Sequence, residues 1–130
     1  YKVNPKGYVP LLGLDVGTPI SEASVILQYL ADQKPGTLAP AFGSLARWKM
    51  MELLTFLATE VHKGFSALWN PATPAEVRKG AVDRLGTRFD ILAQTLAKQP
   101  YLTGDKFSIA DAYLFVLLNW TKIHKVDLRN

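Results

Sequence analysis

The order of apolar and polar positions divides the chain into a short extended start and a long helical remainder. Val9-Pro10-Leu11-Leu12 follows a Pro/Gly turn and reads as a buried strand over residues 9–12. Asp15-Val16-Gly17-Thr18 supplies a turn, with Gly17 free to take a positive φ. Pro19 and Ile20 start a second short strand, so the pair forms a hairpin. Ser21 is the expected N-cap of a helix from Glu22 to about Asp32, with Ile26, Leu27, Leu30 and Ala31 on one face. Residues 34–43 carry Pro and Gly at turn spacing and read as a linker. Ser44 then caps a long helix running to about Trp69, which Pro71 and Pro74 break. Thr73-Pro74-Ala75-Glu76 has the form of a capping box with Pro at the first helical position. The helix it opens runs to about Lys98, and its apolar face is Val77, Ala81, Leu85, Phe89, Leu92 and Leu96. Ser108-Ile109-Ala110-Asp111 is a second capping box, with Phe107 at the staple position. The last helix is apolar nearly all round, which predicts the central buried helix.

Composition narrows the functional classes. Apolar residues make up 48% and charged residues 20%, the balance of a folded globular chain rather than a disordered one. Fifteen Lys and Arg are scattered among eleven Asp and Glu, and the net charge is +4. That suits small acidic molecules and argues against nucleic acid, which calls for a clustered basic stripe. The absence of cysteine rules out disulfides, thiolate metal sites and a cysteine nucleophile within these 130 residues. His62 and His124 are too few and too far apart to suggest a metal site, and no Gly-rich phosphate loop occurs. The start carries no apolar signal-peptide core. The longest apolar run, Ala112 to Leu118, is too short to cross a bilayer, so the expectation is a cytoplasmic chain without membrane attachment. The chain opens without Met, and the expected explanation is a truncation, a processing site or an unrecorded segment.

Three groups of residues carry candidate chemistry. Glu22 at a helix start either complements the helix dipole or receives a ligand ammonium, while the N–H groups of Ala23 and Ser24 take a ligand carboxylate. An amino acid or a γ-glutamyl group carries both charges side by side. Val9-Pro10 is either an ordinary trans Pro at the head of a strand or a cis Pro that turns the Val9 backbone outward toward an extended peptide. Thr55, Thr59, His62 and Ser66 recur at helical spacing as a polar stripe. The stripe is either a wet helix face or a ligand groove, with His62 and Lys63 near a thiolate or carboxylate. Glu60 and Lys63 could equally form a surface pair.

Taken in order, Val3-Asn4-Pro5-Lys6-Gly7, Val9-Pro10, Ser21-Glu22-Ala23, Gln28 to Asp32, Ala58 to Phe65 and Phe107 to Phe115 resemble a bacterial glutathione S-transferase, most closely the beta class. The resemblance implies an α+β chain. Residues 1–33 would be the C-terminal portion of a thioredoxin-like glutathione-binding domain, 34–43 a linker, and 44–130 an incomplete all-helical domain. It implies that Val9 pairs its backbone with the cysteinyl part of glutathione and that Pro10 is cis. Glu22 and the Ala23 backbone would hold the γ-glutamyl end, and Thr59, Glu60, His62 and Lys63 would complete the binding set. His62 would assist catalysis, and residues matching Thr55 and Glu60 would reach the neighbouring subunit's site in a homodimer. Ser108 and Asp111 match the family's capping box.

The implied activity is conjugation of the glutathione thiolate to small hydrophobic electrophiles, with glutathione as co-substrate and no other cofactor. Two departures stand out. Ala23 has no hydroxyl to offer, and Thr55 stands where the class often has Asn. The resemblance also implies that the first part of the thioredoxin-like domain, with its activating Cys, Ser or Tyr, and the last helices are missing, so that this chain alone would be inactive. A non-catalytic glutathione-binding or protein-contact module and a glutathione-dependent peroxidase or dehalogenase share the same architecture.

Overall fold

The computed structural model describes residues 3–128. Strands β1 (Leu11–Gly13) and β2 (Pro19–Ser21) pair antiparallel, with Leu11 opposite Ser21 and Leu12 opposite Ile20. The ladder starts two residues later than the apolar run predicts. Pro10 has no N–H to give a ladder, the Val9–Pro10 peptide is cis, and Val9 is 90% exposed rather than buried. Helix α1 (Ala23–Asp32) has Glu22 as its N-cap, not Ser21. Ser21 is already committed to the ladder opposite Leu11. The Glu22 carbonyl therefore takes the first helical N–H groups, those of Val25 and Ile26.

Ser44 caps α2 (Leu45–Phe56) as expected, its Oγ accepting from the Arg47 N–H at 3.1 Å. The long helix continues to Trp69, but its winding changes. A π-helical stretch covers Leu57–His62, a 3-10 turn covers Lys63–Phe65, and α3 (Ser66–Trp69) closes the run. Widening by the π stretch and tightening by the 3-10 turn oppose each other in phase. One buried row, Met50, Leu54, Leu57, Val61, Phe65 and Leu68, consequently passes through all of it. At Gly64 the run approaches α4 so closely that a Cβ would sit 2.7 Å from Leu85 Cδ2.

Helix α4 (Ala75–Leu96) begins one residue later than the sequence pattern suggests, with Pro74 as N-cap and no side chain capping it. Thr73 therefore lies outside the cap position, and the Thr73–Glu76 box does not form. Asn70 shapes this turn instead, accepting from the Ala72 N–H through Oδ1 and from the Thr73 N–H through its carbonyl. Ala81, Leu85 and Leu92 are buried on α4, while Val77 and Leu96 at its ends are exposed.

Helix α5 (Ile109–His124) starts with its capping box formed. Asp111 Oδ2 accepts from the Ser108 N–H and hydroxyl, and Oδ1 accepts from the Leu102 N–H at 2.8 Å. The helix buries Tyr113, Leu114, Leu117 and Thr121, but Phe115, Val116 and Ile123 remain exposed, so it is covered on one side only. Among the described residues no helix is long and apolar enough to cross a membrane.

A charge in the core ties the hairpin-helix piece to the helical remainder. Arg47 on α2 is buried, and its guanidinium makes two 2.8 Å hydrogen bonds to Asp32 at the end of α1. Pro40 accepts a third, and the Phe42 ring lies over the guanidinium at 5.8 Å. Hydrogen bonding from Arg47 is the main reason the Asp32 carboxyl is held below its usual range. Together these contacts hold the 34–43 linker against both helices.

Candidate functional site

The site grows from two tight backbone features. Asn4-Pro5-Lys6-Gly7 is a turn closed by the Gly7 N–H donating to the Asn4 carbonyl, with Gly7 at φ 68°. The Asn4 side chain accepts from the Lys6 N–H and donates to the Tyr8 carbonyl at 2.6 Å. The chain then presents Val9, whose backbone N–H and carbonyl have no hydrogen-bond partner among the described residues. The second feature is Glu22 itself. Its φ of 73° and ψ of 121° lie where non-glycine residues are strained. As N-cap it makes no side-chain hydrogen bond to the helix, so the N–H groups of Ala23 and Ser24 stay unpaired at the positive end of α1. Lys6 Nζ stands 3.5 Å from the Glu22 carboxylate.

Between these features and the helical run lies a cavity of about 330 Å³. Val9, Pro10, Glu22, Ala23, His62 and Lys63 all line it, brought together from three separate stretches of chain. Ala58 and Tyr113 close the side facing the core. Thr59 and Glu60 do not line it. Glu60 accepts instead from Arg88 on α4, at 2.7 and 3.0 Å.

The polar stripe does not form a single groove face. Thr55 and Thr59 are exposed, and their hydroxyls donate to the carbonyls of Met51 and Thr55 in their own helix. His62, at the end of the π-helical stretch, is half-buried and lines the cavity with Lys63.

Electrostatics differ sharply across the cavity. His62 is held below its ordinary 6.5, first by burial and then by the Lys63 ammonium, with Glu22 pulling the other way. Its imidazole is therefore neutral at pH 7. Burial, and then the Glu22 charge, push the Tyr113 phenol up to about 12. His62 Nδ1 and Tyr113 Oη are hydrogen-bonded at 2.7 Å, and the His62 ring meets Trp120 edge-on at 4.8 Å. Tyr113 and Asn4 were not singled out by the sequence reading. Tyr113 stands in an apolar stretch of α5 and is indistinguishable there from a core aromatic. The Asn-Pro-Lys-Gly turn signal was visible, but not the side-chain bonds that fix it.

Comparison with known proteins bears on this arrangement. The glutathione S-transferase C-terminal domain family matches residues 56–129. Glutathione S-transferase GstA of Escherichia coli O157:H7 is 42% identical over 130 residues, covering 98% of this chain and 64% of the relative. A ternary complex of BphK, a bacterial glutathione S-transferase, superposes with a TM-score of 0.95 at 47% identity, covering 98% of this chain and 64% of that one. The beta-class enzyme of Sphingomonas chungbukensis superposes with a TM-score of 0.92 at 39% identity, with the same coverage. A sphingomonad glutathione S-transferase complexed with glutathione also reaches a TM-score of 0.92, at 41% identity, again covering 98% of this chain and 64% of that one. The chain thus spans about 64% of the length of these relatives. With this likeness running through both the hairpin-helix piece and the helical remainder, the chain belongs to the glutathione S-transferase family.

Proposed function

We propose that the cavity binds glutathione, in a transferase that conjugates the glutathione thiolate to small hydrophobic electrophiles. The observation that carries this reading is the start of α1. There a carboxylate on a strained residue stands beside two unpaired helix N–H groups. A γ-glutamyl α-carboxylate suits the N–H groups of Ala23 and Ser24, and its ammonium suits Glu22. Val9, with an unpaired backbone two residues before β1, suits the cysteinyl amide as one added rung of a ladder.

A free thiol has a pKa of about 8.5, so a transferase must favour the thiolate, which is the nucleophile. Lys63 supplies positive charge at the cavity wall, and His62 supplies a neutral imidazole. In conjugation the sulfur–carbon bond forms, the leaving group departs with its electron pair, and the thiol proton goes to solvent. Thr59 and Glu60 belong to the proposal in a different place. They sit on an exposed face, where in a homodimer Glu60, along with Thr55, would meet the neighbouring subunit's site. A cytoplasmic location goes with this reading, since reduced glutathione is the ligand.

Calorimetric titration of the chain with glutathione tests the binding step. Binding is expected, and Glu22→Gln is expected to weaken it by about 1.5 to 3 kcal/mol, the range for a hydrogen bond to a charged group. Absence of binding, or equal affinity in the variant, would overturn the assignment. A chloronitroarene conjugation assay on a protein of the relatives' full length then separates a transferase from a binding module.

A further inference from the structure

Burial alone does not explain the hydroxyl of Tyr113. Its ring lies in the core, yet its Oη reaches the cavity wall and meets His62 Nδ1 at 2.7 Å. Two independently fixed elements hold the pair in register. His62 is the last residue of the π-helical stretch. Tyr113 stands two residues after Asp111, whose carboxylate locks the start of α5 to Ser108 and Leu102. Trp120 braces the imidazole edge-on from the same helix.

The direction of the bond follows from acid–base matching. A phenol O–H is a stronger donor than an imidazole N–H, and an imidazole nitrogen is a stronger acceptor than a phenol oxygen. Neither group is charged at neutral pH. The phenol is kept protonated by burial and Glu22, and the imidazole is kept neutral by burial and Lys63.

We propose that Tyr113 is a positioning residue whose hydroxyl donates to His62 Nδ1 and fixes the imidazole as the tautomer with its proton on Nε2. A neutral imidazole has one donor and one acceptor. With Nδ1 occupied, the ring keeps Nε2–H as its one remaining polar group, and that group is a donor. It can stabilise a thiolate but cannot take a proton from a thiol. Tyr113 thereby assigns His62 to holding negative charge rather than to base catalysis. That last step rests on the glutathione reading, whereas the tautomer does not.

Long-range proton–nitrogen correlation spectra of the uniformly labelled, ligand-free chain at neutral pH test the proposal. The expected result is a His62 ring with nitrogen shifts of the Nε2–H tautomer. Tyr113→Phe, which keeps the ring packing and removes only the hydroxyl, should shift the His62 signals toward a mixture of tautomers. A wild-type ring protonated mainly on Nδ1 would overturn the proposal, and so would a tautomer unchanged in a folded Tyr113→Phe. If the variant does not fold, the wild-type spectrum still decides. Because no ligand is present, failure here is separable from failure of the glutathione titration.

Discussion

Glu22 concentrates the tension between folding and binding in one residue. Its backbone occupies a region that costs a non-glycine residue about 1–3 kcal/mol. Glycine adopts that conformation without the Cβ penalty, although it loses about 0.5–1 kcal/mol through greater freedom in the unfolded chain. Glu22→Gly is therefore expected to raise unfolding stability by about 1 kcal/mol while abolishing the carboxylate's contribution to ligand binding. Denaturant unfolding and calorimetry on the same preparation check both halves. A variant that lost stability and affinity together would mean the backbone is not strained in the sense argued. The sequence could place a carboxylate at this helix start but not its dihedral angles, because strain is imposed by the β2 ladder ending immediately before it.

Elements are joined by charge as much as by apolar contact. Asp32 and Arg47 clamp the end of α1 to α2, with the guanidinium buried and the carboxylate half in solvent. Asp32→Ala leaves a buried cation with carbonyl partners only, and its expected cost is about 3 kcal/mol in urea unfolding. Adding Arg47→Met should recover most of that loss, since an apolar side chain of similar length needs no partner. The Ser108–Asp111 box was legible in the sequence because a capping box is a local pattern, complete within four residues. Thr73–Glu76 had the same pattern and failed because Pro74 itself took the cap position. The π-helical stretch was not legible at all. It shifts backbone bonding without changing the spacing of the buried row, so the periodicity from Met50 to Leu68 gave no sign of it. The six cavity-lining residues expected from family likeness came together, while Thr59 and Glu60 fell outside the lining, with Glu60 held by Arg88 on α4.

At the scale of the whole molecule, four titrating groups shape the pH range of stability, and the Arg47-held Asp32 carboxylate adds its own loss only as pH falls below 3.8. His62 and His124 are both held below 6.5 by burial, with Lys63 and Arg78 adding to it. Unfolding lets each bind a proton that the folded chain refuses, so stability is full above 6.5 and falls as pH drops below it. Tyr113 acts at the other limit. The unfolded phenol ionises near 10.0 and the folded one near 12, so stability falls as pH climbs through that interval. Denaturant midpoints measured across pH should give a plateau between these limbs, and His62→Gln should flatten the acidic one. The contact at Gly64 has a longer reach. A Cβ there would meet Leu85, which is fully buried and cannot step aside cheaply. A side chain gained at position 64 is best accommodated beside a smaller residue at position 85. Gly64→Ala should be costly alone and mild after Leu85→Ala, a coupling that a double-mutant cycle reads directly. Two positions 21 residues apart in sequence therefore share one small space, and what either can hold depends on the other.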